Sequence, residues 1–146
     1  MGTRRRAREL ALQFLYQYDS LKESSANTEG VEELLSFFWD RDGISSDDDT
    51  KEFSSVLIRG SCSNLPKIDE IITTYSEHWR LQRMSTIDRN ILRIAIYELL
   101  YLRNIPPPVT INEAVELGKR FGTEESGAFI NGILDKIRVD QEKGDI

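Results

Sequence analysis

Cysteine and histidine occur once each in this chain of 146 residues, as Cys62 and His78. A single cysteine closes no internal disulfide, which excludes a stapled secreted scaffold and fits a reducing compartment. One histidine, with no second histidine or cysteine at ligand spacing, argues against a zinc-type site. Cys62 has no histidine that sequence can place beside it and reads as a small packing residue. No apolar run approaches the roughly 20 residues that span a bilayer. The Arg-rich start is not followed by the apolar stretch and cleavage site of a signal peptide. Glycine-rich phosphate loops and nucleophile elbows are missing too. Asp47, Asp48, Asp49 and Glu52 lack the glycine and spacing of a calcium loop. The expectation is a soluble cytoplasmic protein without membrane contact, catalytic residues, metal or cofactor.

What is present suffices for a core: 39% of residues are apolar and 9% aromatic. The length fits one domain or two small subdomains. The net charge of −6 hides an asymmetry, because residues 19–52 hold eleven acids against Lys22, Arg41 and Lys51. That stretch sums to −8, leaving +2 for the remainder, so a polyanion partner is compatible with an acidic total if bases gather elsewhere.

Apolar spacing of three and four recurs throughout, and period-2 alternation does not, so the chain reads as all-α with about seven helices. Ala7, Leu10, Ala11, Phe14, Leu15 and Tyr18 form a first stripe behind Thr3 as N-cap. Val31, Leu34, Leu35 and Phe38 form a second, ending near Gly43. Phe53, Val56 and Leu57 follow the acids at 47–49, which suit a helix N-terminus. Asn64 and Pro66 open a fourth, through Ile68, Ile71, Ile72 and Tyr75. Ser85 and Asp88 resemble a capping box before a segment apolar around most of its circumference, Ile87 to Leu100, which should be the buried central helix. Pro106 to Pro108 stop it, Thr110 and Glu113 form a second box, and Gly122 ends that helix. Thr123 should cap the last one. Ser20 to Thr28 reads as a surface loop. The expected division is 1–80 and 81–146, two helical subdomains within one compact domain.

Local rules break at the start. Basic side chains in a first helical turn oppose the macrodipole by about 0.3–1 kcal/mol each, yet Arg4, Arg5, Arg6 and Arg8 stand there. At about 100° per residue they fan into a collar suited to phosphates approaching from several sides. A solvated, frayed terminus explains them equally well. Tyr16 falls opposite the first helix's apolar stripe, as an interface anchor or a residue covered by a neighbouring helix. Phe129 lies at the edge of the last helix's core stripe, where it could meet an unstacked base or pack half-buried.

Three segments then carry a family resemblance: TRRRARELALQFLYQYD at 3–19, IDRNILRIAIYELLYL at 87–102 and VTINEAVELGKRFGTEESGAFINGILDKI at 109–137. They resemble the NusB family of transcription antitermination factors. The resemblance implies two three-helix bundles packed across each other. It implies binding of boxA-type single-stranded RNA together with NusE, the small-subunit ribosomal protein, within the elongation complex transcribing ribosomal RNA operons. It assigns Arg4, Arg5, Arg6 and Arg8, with Glu125, Ser126 and Phe129, to the RNA side, and Tyr16 and Asp88 to the partner-protein face. Relatives commonly carry Asp where Glu125 stands, and Gly127 and Ala128 make that segment less basic than in some of them. Free relatives occur as monomers and as homodimers. A helical adaptor without RNA contact is the alternative. An RNA methyltransferase, to which similar domains are fused, is a distant third.

Overall fold

The computed structural model describes residues 2–24, 30–41, 47–77 and 84–146. Among them are seven helices: α1 (Gly2–Ser24), α2 (Val31–Asp40), α3 (Asp48–Ser63), α4 (Leu65–Tyr75), α5 (Thr86–Tyr101), α6 (Pro107–Phe121) and α7 (Ser126–Glu142). No described helix is long and apolar enough to cross a membrane. His78 and Gly43 lie outside the described residues. The chain divides at Ser63/Asn64 into two compact units. This is earlier than the expected 80/81, so α4 joins the second unit, which has four helices rather than three.

In the first unit α1 buries Ala7, Leu10, Ala11, Phe14 and Leu15, the expected stripe, against Leu35 and Phe38 of α2 and Leu57 and Ile58 of α3. Phe14 meets Phe38 edge-on at 5.5 Å and stacks on Tyr18 at 6.0 Å. The helix runs to Ser24 rather than giving way to a loop at Ser20. Leu21, one turn beyond Tyr18, is 39% exposed. Asp47 sits before α3 and its carboxylate accepts the Thr50 amide at 2.7 Å. That bond holds its carboxyl below the usual range, the N-terminal role expected of this acid. Across helices, Arg59 donates two bonds to Glu32, at 2.7 and 2.9 Å, and lowers that carboxyl's pKa.

In the second unit α5 is the expected central helix, with Ile91, Leu92, Ile94, Ala95, Ile96 and Leu99 buried. Its start is capped as expected, the Asp88 amide donating to Ser85 Oγ at 3.0 Å. Polar groups are buried along with the aliphatics. Arg93 donates to both oxygens of Asp69 on α4 at 2.8 Å and to Asn90 Oδ1 at 2.9 Å. Glu98, 1% exposed, accepts from Thr110 Oγ1 at 2.9 Å.

Thr110 is therefore an interior residue of α6 and not its cap. The helix begins at Pro107 behind Pro106, because proline suits a first turn whose amides have no intrahelical acceptor. α5 has already ended at Tyr101, before Pro106 is reached, so the proline run opens α6 rather than stopping α5 as expected.

Tyr75 at the end of α4 donates to Asp140 of α7 at 2.5 Å, which with partial burial pushes the phenol from 10.0 up to about 12. A folded-state pKa above the unfolded one means the contribution is complete below pH 10 and is lost as pH rises through 12. Tyr75→Phe is expected to lower stability at pH 8 and to remove this part of the alkaline decline, which urea unfolding at pH 8 and at pH 11.5 would measure.

Candidate nucleic-acid interface

The first turn of α1 has no acidic residue. Arg4, Arg5 and Arg6 are exposed, and Arg6 reaches Glu9 one turn on at 3.3 Å while its own side chain remains 45% exposed. Arg8 departs from the expected collar. It is 4% exposed and its guanidinium lies 5.6 Å from the centre of the Phe53 ring of α3. Its helical neighbours three, four and seven positions on are Ala11, Leu12 and Leu15, all buried, so its row belongs to the interior face. Arg4, one turn earlier, sets its guanidinium 4.5 Å over the same ring. The collar is thus three exposed arginines with a fourth beneath them. Tyr16, 45% exposed, stands on the outward face as its wheel position predicts.

The other expected residues belong to the second unit, where the junction of α6 and α7 is built on absent side chains. A Cβ on Gly118 would come within 2.8 Å of Ile130 Cδ1, and one on Gly122 would overlap the Ser126 side chain. Into that space Ser126 turns its hydroxyl, which accepts the Thr123 amide at 2.9 Å and lies 3.3 Å from Thr123 Oγ1. Ser126 is 1% exposed. It closes the turn from inside, whereas the resemblance places it on the RNA side. Thr123 likewise donates to this turn, and Glu125 takes the N-cap position of α7. Glu125 is exposed, accepting from Thr123 Oγ1 at 3.4 Å. Phe129, whose amide bonds the Glu125 carbonyl at 3.0 Å, is half-buried at the core's edge.

Sequence reading passed over the end of α6. Lys119, Arg120 and Phe121 are exposed there, with the Arg120 guanidinium 5.2 Å from the centre of the Phe121 ring. Their signal is two bases and an aromatic immediately before the glycine that ends a helix. Bases at a helix C-terminus also complement the macrodipole, so the pattern alone does not mark a site. Asp88, half-buried at the start of α5, keeps a buried Oδ1 with no hydrogen-bond partner among the described residues. No group of three or more metal-binding side chains occurs among the described residues.

Comparison with known proteins gives these surfaces a context. Residues 5–138 match the NusB family. The transcription antitermination protein NusB of Thermodesulfovibrio yellowstonii is 46% identical over 140 residues, covering 94% of this chain and 93% of that protein. The solved structure of T. maritima NusB superposes with a TM-score of 0.82 at 42% identity, over 98% of this chain and 97% of that one. A chain from a solved complex of the antitermination factors NusB and NusE with double-stranded RNA superposes with a TM-score of 0.77 at 28% identity, covering 94% and 96%. Sequence and fold agree across nearly the whole length, and this chain belongs to the NusB family.

Proposed function

We propose that this chain is a non-catalytic, cytoplasmic transcription antitermination protein that binds boxA-type single-stranded RNA together with NusE and supports processive transcription of ribosomal RNA operons. The observation carrying the reading is the exposure of Arg4, Arg5 and Arg6 on a first turn without any acid. That charge opposes the helix dipole and finds its use when an anion arrives. Arginines position phosphates, while half-exposed aromatics offer faces to unstacked bases. Phe129 serves in that second role, with Glu125 as a hydrogen-bond acceptor beside it and Phe121 as a further aromatic. Arg8 and Ser126 support their neighbours from inside.

Tyr16 in the first unit and Asp88 in the second are the residues assigned to the partner protein. An exposed tyrosine anchors interfaces through area at low entropic cost, and Asp88 is half-buried at the start of α5. Because the chain is net acidic, its own RNA affinity is modest and the ribosomal partner adds basic surface.

An adaptor role without RNA contact draws support from an apolar groove of about 160 Å³ in the first unit, lined by Phe14, Tyr18, Leu21, Leu34, Phe37 and Phe38, with Phe37 74% exposed. Binding of boxA RNA and a scrambled control, each with and without NusE, separates the two. The RNA reading expects preference for boxA, strengthened by NusE, and crosslinks from RNA to this chain. Partner binding with no such crosslink in the free or the paired state would leave the adaptor role alone.

A further inference from the structure

Phe53 has no role in the reading above, yet it organises the arginines. It lies in the second turn of α3, half-buried, with the guanidinium carbons of Arg4 and Arg8 at 4.5 and 5.6 Å from its ring centre. Both distances fall within the roughly 6 Å reach of a cation–π contact. The two arginines differ in exposure: Arg8 is enclosed, whereas Arg4 is open to solvent. A free arginine at a helix end samples many rotamers and loses that freedom when it grips a ligand. One already resting on an aromatic face has lost part of it beforehand, and its planar fork of N–H donors still has edges to offer an anion.

We propose that Phe53 is a positioning residue of the RNA site, holding the Arg4 guanidinium where its donors meet a backbone phosphate. The inference rests on the reading that the start of α1 binds RNA. It differs from plain core packing in one respect: the ring acts on affinity through Arg4, so its loss matters only while Arg4 is present.

The test uses the full chain and single-stranded boxA RNA in 0.1 M salt, with thermal melts of every variant. Arg4→Ala is expected to weaken binding about fivefold, the counterion-release value of one phosphate contact. Phe53→Met, close in volume but without a π face, is expected to cost about threefold. The double variant should bind no more weakly than Arg4→Ala alone. Phe53→Trp, a better cation acceptor, should match or exceed wild type when Arg4 is present.

Additive losses, or a Phe53→Met protein binding like wild type beside a weakened Arg4→Ala, would overturn the positioning role and leave the RNA reading standing. Wild-type affinity in Arg4→Ala, Arg5→Ala and Arg6→Ala alike would remove the reading that the start of α1 binds RNA. If Phe53→Met melts below the assay temperature, the tryptophan variant decides: weaker binding by a folded Phe53→Trp protein overturns the proposal, and retained or tighter binding that falls to the Arg4→Ala level when Arg4→Ala is added supports it.

Discussion

Arg93→Ala is expected to lower the stability of the folded chain by about 3 kcal/mol, a drop in melting temperature on the order of 10 °C. The Arg93 side chain is 7% exposed and its partner Asp69 22%. The pair is bidentate, and the third nitrogen of the guanidinium is taken by Asn90, which is itself anchored by its own side-chain amide to the Thr86 carbonyl at 2.9 Å. Removing the cation leaves a carboxylate and an amide oxygen desolvated without their donor. That penalty, rather than the net value of the ion pair, sets the size of the loss. Replacing both members, as Arg93→Met with Asp69→Leu, should therefore recover much of it. Chemical denaturation of the two single variants and the double variant gives the coupling directly. Arg59→Ala provides the contrast: its bonds to Glu32 are equally short, but both side chains are more than half exposed, and its midpoint should stay close to wild type.

The same pair explains why the boundary between units was misplaced on sequence alone. Periodicity locates the apolar face of α4 through Ile68, Ile71 and Ile72, yet it carries no information on which helices that face meets. Asp69 on α4 is committed to Arg93 on α5 by a contact 24 positions apart. Helix existence, the central position of α5 and the cap at Ser85 were legible because each depends on residues within one or two turns. The Thr110–Glu113 pattern satisfied the same capping rule and misled, since Thr110 is required inside by Glu98 and proline at 107 could start the helix earlier. The burial of Ser126 and Arg8 was not legible for a related reason. Residue type predicts exposure for serine and arginine, and here a missing Cβ at Gly122 and an aromatic ring at Phe53 each made a buried niche for a polar group. For Arg8 the signal was present in the spacing to Ala11, Leu12 and Leu15, and the charge of its side chain obscured it.

Burial of Arg8 also changes what the RNA site should do quantitatively. Four arginines on phosphates would give a slope of log affinity against log salt near −3. With three exposed, the expected slope is near −2, from about −0.7 per phosphate on a single strand. Replacing Arg4, Arg5 and Arg6 together with alanine is then expected to reduce affinity about a hundredfold in 0.1 M salt and to bring the slope close to zero, since counterion release from three phosphates scales as the salt concentration to the power of about −2. The fold should tolerate this triple change, because all three side chains are exposed and the acid-free first turn loses unfavourable charge with them. Arg8→Ala should behave in the opposite sense. It removes a side chain packed under the helix and facing Phe53, so the melting temperature falls while the salt slope stays near −2. Fluorescence anisotropy with labelled boxA RNA from 50 to 300 mM salt, alongside thermal melts, separates the two behaviours. A slope that the triple variant leaves unchanged would move the phosphate contacts to another surface, with the bases at the end of α6, Lys119 and Arg120, next in order.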